Sequence, residues 1–160
     1  MRIALIAIAV VAIAACGGQS APKQTGSPTP VTPREAVRCG HETNVHGTGY
    51  DAEARACLWE AVSGGQPVAF TTTIYTIEGD PVTYSVEGRA ADDTSPRFSV
   101  RVDSQDRFGV QGKFTYRCSD MQRVQRPMAP ELRYSFVLRG CTGEQKDAPH
   151  LEGSGEILVP

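Results

Sequence analysis

The chain has 160 residues, of which 16 are Lys or Arg and 18 are Asp or Glu, so its formal net charge is −2. This net charge, with 21% charged residues, excludes a strongly basic nucleic-acid binder and a fully disordered acidic chain. The sequence has one long apolar run, near its N-terminus, which excludes a multi-pass membrane protein.

The N-terminal segment has the pattern of a signal peptide. Arg2 precedes thirteen apolar residues that end at Ala15, too few for a helix that crosses a hydrocarbon layer of about 30 Å. Small residues directly before Cys16 resemble the lipobox of bacterial lipoproteins. We predict a lipoprotein signal peptide over residues 1–15 and a lipidated Cys16 that bears palmitate. The alternative is an ordinary secretory signal that leaves Cys16 as a free thiol.

Residues 16–38 have the composition of a disordered tether. They contain four prolines and, before Val31, no large apolar residue, so they have little surface to bury. Residues 39–160 follow and are long enough for one hydrophobic core, which predicts a single globular domain. Together these segments predict a secreted, extracytoplasmic domain anchored to the cell membrane by the lipid on Cys16.

Four cysteines remain when Cys16 is assigned to lipid, and an even number in an exported chain indicates two disulfides. Three pairings are possible. The pairing with short local loops joins Cys39 to Cys57 and Cys118 to Cys141. A zinc site is the alternative, but no two cysteines have the C-x2-C spacing typical of one. We therefore expect two disulfides, no metal and no cofactor.

One amphipathic helix is predicted after Asp51. Asp51 is a favourable N-cap residue, and Gly64 with Gly65 forms a stop signal. Between them the apolar residues recur with the period of a helix face. These residues are Ala54, Cys57, Leu58, Ala61 and Val62.

The pattern changes to a period of two after this helix. Alternating segments lie near residues 68–77, 82–86, 97–103, 113–118, 132–139 and 157–159. Short turn-forming stretches separate them, which is typical of antiparallel strands with one packed face. We predict an α+β fold in which one N-terminal amphipathic helix packs on a five- to six-stranded antiparallel meander sheet, stapled by disulfides.

Several motifs resemble one protein family. They are N-V-H-G at residues 44–47, T-I-E-G-D-P-V at 76–82, D-R-F-G at 106–109, and the final cysteines with E-I-L-V at 156–159. In this order they resemble small secreted lipoproteins, mostly of Gram-positive bacteria, grouped as a domain of unknown function. Cys39 and Cys57 depart from that pattern. The resemblance implies export and this kind of fold but no reaction.

Four carboxylates lie in two predicted turns, and they are Glu78, Asp80, Asp103 and Asp106. One interpretation is a Ca²⁺ site or an acid–base pair. The alternative, which we favour, is turn chemistry in which Gly79 takes a positive φ and Asp80 bonds its own backbone. The sequence lacks the D-x-D-x-D-G loop that a calcium site of the EF-hand type requires.

The three histidines, His41, His46 and His150, have no metal-ligand spacing. Only His46 lies within a family-like motif. The sequence also lacks a G-x-S-x-G nucleophile motif, and its four domain thiols are predicted to be oxidised. We therefore predict no catalytic residues and no enzyme.

Charge is distributed unevenly along the chain. Residues 39–96 contain 9 acids and 2 bases, whereas residues 97–139 contain 4 acids and 9 bases. Strand alternation predicts that six of these bases share one exposed sheet face, which is suited to an anionic polymer, a lipid headgroup or an acidic protein patch. The six are Arg97, Arg101, Lys113, Arg117, Arg133 and Arg139. The alternative is a solvated face whose charges prevent edge pairing.

These features predict a lipid-anchored, non-catalytic binding module for an envelope polymer or protein, with no nucleic-acid partner. An alternative function is inhibition of an extracellular hydrolase, a protease or a lysozyme, by a rigid turn that plugs its cleft. The candidate plugs are residues 78–81 and 103–109.

Overall fold

The computed structural model describes residues 34–92, 96–125, 133–144, 149, 151 and 155–160. The predicted signal peptide, Cys16, most of the predicted tether and His150 lie outside the described residues. In chain order the elements are β1 (Val37–Asn44), α1 (Ala52–Ser63), β2 (Val68–Tyr75), β3 (Pro81–Gly88), β4 (Phe98–Ser104), β5 (Gly112–Cys118), β6 (Asp120–Gln125), β7 (Tyr134–Arg139), β8 (Thr142–Gly143) and β9 (Ile157–Val159).

Helix α1 lies where the sequence predicts it. The Asp51 carboxylate accepts a hydrogen bond from the Ala54 amide over 2.9 Å, and Gly64 is the C-cap. This cap satisfies one of the amide groups that the first helical turn leaves without a partner. Four of the predicted stripe residues are buried, but Cys57 is half-buried and the unexpected Arg55 is buried beside them.

The strands form two sheets, which corrects the predicted single meander. The order in the larger sheet is β1-β2-β3-β4-β5-β8, and the order in the smaller one is β6-β7-β9. Strand β1 runs parallel to β2, whereas the other pairs among the described strands are antiparallel. Parallel neighbours need a crossover connection, and α1 supplies it. The larger sheet is therefore mixed, and the helix is not N-terminal because β1 precedes it.

Strand β1 was not predicted because it lacks an apolar alternation. Its buried residues are Cys39 and Glu42. Its register with β2 shifts between Arg38 and His41, where Gly40 has a φ of +83°. A polar strand with an irregular register gives no period-two signal in the sequence.

The core lies against the inner face of the larger sheet. Consecutive strands β2 to β5 contribute one row of paired residues, each at most 2% exposed: Phe70, Val86, Val100 and Tyr116. Helix α1 contacts β1 and β2 and adds Leu58 and Val62 to the same cluster. The smaller sheet contributes Phe136, Leu138, Ile157 and Val159. One core therefore joins the helix and both sheets.

Both predicted disulfides are confirmed. Cys39 of β1 is bonded to Cys57 of α1, and Cys118 at the end of β5 is bonded to Cys141 between β7 and β8. The first bond fixes the helix to the edge strand, and the second connects segments that lead into different sheets. Two disulfides are consistent with an extracytoplasmic location.

A buried ion pair also connects the two sheets. Arg55 and Glu42 are each 2% exposed, and the guanidinium donates to both carboxylate oxygens. The same guanidinium reaches the smaller sheet, where it donates to the main-chain oxygens of Tyr134, over 2.6 Å, and Pro160. The Glu42 carboxylate accepts further hydrogen bonds from the Thr72 hydroxyl and the Asp51 amide. Both charged side chains of the pair are therefore hydrogen-bonded to further groups, as buried charges require.

Candidate functional site

The outer face of the larger sheet, turned away from the core, carries the alternate residues of its strands. Small hydroxyl side chains occupy much of it, and charged side chains stand between them. Register places Thr43, Thr73 and Thr83 side by side and Thr71 beside Ser85. Ser99 and Thr115 are paired with charged residues of the neighbouring strands. Because these hydroxyl side chains are short, they project little above the sheet backbone. The longer charged side chains therefore form the walls of any depression on this face.

A groove of about 610 Å³ lies at one end of this face, and we call it the arginine groove. Its charged lining residues are Arg38, Arg89, Arg101, Arg117, Glu87 and Glu144. A neighbouring depression of about 300 Å³ shares Arg38, Glu87 and Arg101 with it. Four arginines against two glutamates give the groove a positive balance, and its lining includes residues of each of the strands β1 to β5.

Two of the groove arginines form exposed ion pairs. Arg101 pairs with Glu87, and Arg117 Nε lies 2.9 Å from Glu144 Oε1. All four side chains are between 40% and 62% exposed. Ion pairs at this exposure contribute about 0–1 kcal/mol, so an incoming anion replaces the glutamate at little cost. Among the described residues, Arg38 and Arg89 form no ion pair.

The six predicted bases do not share one face. Arg101 and Arg117 line the groove, and Lys113 lies on the same face, 2.9 Å from Asp103. The prediction is wrong for Arg133 and Arg139, because β7 belongs to the smaller sheet and strand alternation does not continue from one sheet to another. Arg133 donates to the Gly47 carbonyl, and Arg139 pairs with Glu156. Arg97 directly precedes β4, and its guanidinium donates to the Val62 carbonyl in α1.

Arg38 and Arg89 are the groove arginines that the sequence analysis does not single out. Arg38 fell within the predicted tether, and Arg89 follows β3 outside any alternating segment. Both are cations near a strand end. The sequence alone does not show that these two strand ends lie at the same groove, because that depends on the strand order.

A second feature joins the two turns that carry the predicted carboxylates. We call residues 76–80, between β2 and β3, and residues 105–111, between β4 and β5, the paired tips. The Asp80 carboxylate accepts from the Arg107 amide over 3.0 Å and from Arg107 Nε over 2.8 Å. Asp80 therefore bonds the neighbouring turn and not its own backbone. Asp106 is the carboxylate that bonds its own turn, through the Phe108 and Gly109 amides.

The remaining family-like turn carries His46. His46 and Gly47 have φ values of 50° and 91°, as in tight hairpin turns, and Asn44 Oδ1 accepts from the Gly47 amide over 2.8 Å. The Arg133 guanidinium holds this turn through the Gly47 carbonyl over 2.6 Å. His41 Nε2 lies 3.0 Å from the Thr73 hydroxyl on the outer face. These contacts fix the backbone of the His46 turn and bond the His41 ring to Thr73.

No metal centre stands out in the part of the chain that the structure describes. No three His, Cys, Asp or Glu residues there are arranged to hold a metal ion. Burial, together with the neighbouring Tyr116, raises the pKa of the Tyr84 phenol above its ordinary value, but this phenol lies in the core. Of the described helices, none has the length and apolar character to cross a membrane.

Comparison with known proteins gives no match to a protein-family model, to a curated protein or to a solved structure. The arginine groove and the paired tips are therefore the features on which a function is argued.

Proposed function

We propose that the protein is a non-catalytic binding module of the cell envelope, anchored through lipid on Cys16, whose arginine groove binds an anionic envelope polymer. The observation that carries this proposal is the groove itself, in which four arginines face solvent with two glutamates. The two disulfides and the lipobox-like sequence before Cys16 support the location. The motif resemblance to small secreted lipoproteins agrees with it.

The placement of the groove arginines favours a polymer over a small anion. Arg38 lies on β1 and Arg117 on β5, which are four strand spacings apart. At about 4.8 Å per spacing, this distance is roughly 19 Å. Guanidinium groups bind phosphate or carboxylate groups in a bidentate manner. A chain with repeating negative charges therefore contacts several arginines at once, whereas a single small anion contacts one or two.

The exposed glutamates favour the binding of anionic polymers over neutral ones. An unoccupied Arg101 or Arg117 is paired with a glutamate, and a polymer without negative groups cannot displace that glutamate. Arg38 and Arg89 remain to attract an anion first, and the paired arginines then exchange partners. This order predicts binding that weakens as salt screens the first contact.

Binding of the full lipidated chain to immobilised polyglycerol-phosphate teichoic acid tests the proposal, with dextran as the neutral polymer. We expect the double variant Arg38→Gln/Arg89→Gln to weaken binding at least about tenfold, which corresponds to about 1.4 kcal/mol. Both residues lack ion-pair partners in the described residues, so the variant is expected to keep its thermal stability.

The matched control is Lys113→Gln, which removes a cation from the same face but outside the groove lining. We expect this variant to bind as the unchanged chain does. Equal retention on dextran, or equal binding by the double variant, contradicts the proposal, because the groove charges then play no part in recognition.

A further inference from the structure

The paired tips expose large apolar side chains at the end of the sheet opposite to the arginine groove. Ile77 is 91% exposed, Phe108 is 78% exposed and Val110 is 47% exposed. Within the described residues these are three of the six large hydrophobic residues that are exposed. Single exposed apolar residues are common on protein surfaces, but several on adjoining turns indicate an interaction site.

Hydrogen bonds hold both tips in one conformation. In the first tip, the Thr76 amide donates to the Asp80 carbonyl and the Gly79 amide donates to the Thr76 carbonyl. In the second, Asp106 Oδ1 accepts from the Phe108 and Gly109 amides over 3.0 and 2.9 Å. Because the turns are already ordered, an interaction of Ile77 or Phe108 loses little conformational entropy on binding.

Direct bonds fix the two tips to one another. The Asp80 side chain, 10% exposed, accepts both Arg107 hydrogen bonds, and the Gln105 amide donates to the Pro81 carbonyl over 3.0 Å. The Arg107 guanidinium carbon also lies 5.9 Å from the centre of the Phe108 ring. The two turns are therefore presented as one unit with its apolar side chains outside.

Charge around the tips selects between a lipid surface and a protein as the partner. The tips contain three acids, Glu78, Asp80 and Asp106, and one base, Arg107. Asp80 is paired with Arg107, so Glu78 and Asp106 leave a negative balance beside the apolar side chains. Anionic lipid headgroups repel such a surface. A protein cleft with an apolar floor and Lys or Arg at its rim complements it.

We propose that the paired tips are a docking wedge for a protein partner, whose apolar cleft receives Phe108 and Ile77 and whose basic rim faces Glu78 and Asp106. Buried aromatic anchors surrounded by weaker polar contacts are the usual source of affinity in protein interfaces. The proposal does not depend on the arginine groove, because the two sites are at opposite ends of β3. Inhibition of an extracellular hydrolase is a special case, in which the cleft is that of the hydrolase.

Photocrosslinking in the intact envelope tests this proposal on the full lipidated chain. The photoreactive residue p-benzoylphenylalanine replaces Phe108, and the crosslinked species is identified by mass spectrometry. We expect one protein, crosslinked through a peptide that lines an apolar cleft flanked by Lys or Arg. Binding of that purified protein is then expected to weaken at least about tenfold in Phe108→Ala and in Ile77→Ser, and to weaken also in Glu78→Lys.

The matched control is Val124→Ser, which removes an exposed apolar side chain on β6, away from the tips. We expect it to bind the partner with unchanged affinity. Crosslinks to lipid, crosslinks to a second copy of the chain, or no crosslink overturn the proposal, and so does a partner whose affinity is the same for Phe108→Ala. Thermal melting of each variant shows that it is folded, since the altered side chains are exposed.

Discussion

Arg55 and Glu42 are both charged and both almost completely buried. Their net effect on stability is the difference between the free-energy cost of removing two ions from water and the attraction between them. With both present, every charged group has hydrogen-bond partners. Removal of one leaves the other charged and unpaired in the core. We expect Arg55→Met to lower the free energy of unfolding by about 3–5 kcal/mol, measured by urea denaturation.

The exposed pair on the outer face provides the control for this prediction. Arg101→Met removes the same side chain type from a pair with Glu87 that is more than half exposed, and we expect a loss below about 1 kcal/mol. The double variant Arg55→Met/Glu42→Met is expected to recover much of the stability, because no unpaired charge remains. A loss from Arg55→Met as small as that from Arg101→Met contradicts the role assigned to the buried pair.

Arg55 also shows why the sequence predicts some residues and not others. The apolar stripe of α1 is visible because its members follow a local period, whereas Arg55 is buried through partners on β1, β7 and the last residue. Asp80 is a similar case, since its partner Arg107 is 27 positions away in the chain. Local sequence patterns predict local contacts, whereas the contacts of Arg55 and Asp80 depend on the strand order.

Among the elements, α1 and its neighbour β1 are held together by the Cys39–Cys57 bond. The two cysteines are 18 positions apart, and a loop of this size is worth roughly 3 kcal/mol in the chain-entropy account of disulfides. We expect Cys39→Ala/Cys57→Ala to lose about that much stability in urea denaturation, while peptide mapping without reductant still finds Cys118 bonded to Cys141.

Cys118→Ala/Cys141→Ala provides the matched comparison, because its loop spans 23 positions and the expected loss is nearly the same. Mapping of the unchanged chain is expected to find both pairs and no free thiol among these four. Free thiols, or a peptide that joins Cys57 to Cys118, contradict the pairing.

The elements that the sequence predicts are those with a complete local signal. Helix α1 has an N-cap, an apolar stripe and a glycine stop, and strands β2 to β5 alternate over at least three apolar positions. Strand β1 has Gly40 and two buried residues, and β8 has two residues in total. The division into two sheets also escaped prediction, because β7 alternates just as β4 does and sheet membership is decided by distant partners.

For the whole molecule, ion pairs between the acidic first part and the basic middle part of the chain offset some of their charge. Ion pairs join the two parts at Glu87 with Arg101 and at Asp80 with Arg107. Two more join the middle part to the last segment, and they are Arg117 with Glu144 and Arg139 with Glu156. These four ion pairs offset part of the charge asymmetry read from the sequence, and within the described residues the arginine groove keeps an excess of positive charge.

The two proposed sites act at a membrane only if the chain is anchored there. The membrane location of both sites therefore depends on the predicted lipid on Cys16. A single acyl chain holds a protein at a membrane reversibly, whereas two or more hold it stably, at about 0.8 kcal/mol for each buried CH₂. We expect the unchanged chain to partition into the detergent phase of Triton X-114 and to incorporate labelled palmitate. The Cys16→Ser variant is expected to lose the label and to leave the detergent phase.

Cys57→Ser is the control for the label, since the Cys57 sulfur is bonded to Cys39 and is not a lipid acceptor. This variant is expected to keep its palmitate and its place in the detergent phase. An unchanged chain that stays in the aqueous phase without label contradicts the anchor and favours the ordinary secretory signal. The domain then leaves the cell surface, and teichoic acid binding and tip crosslinking are to be sought on the released protein.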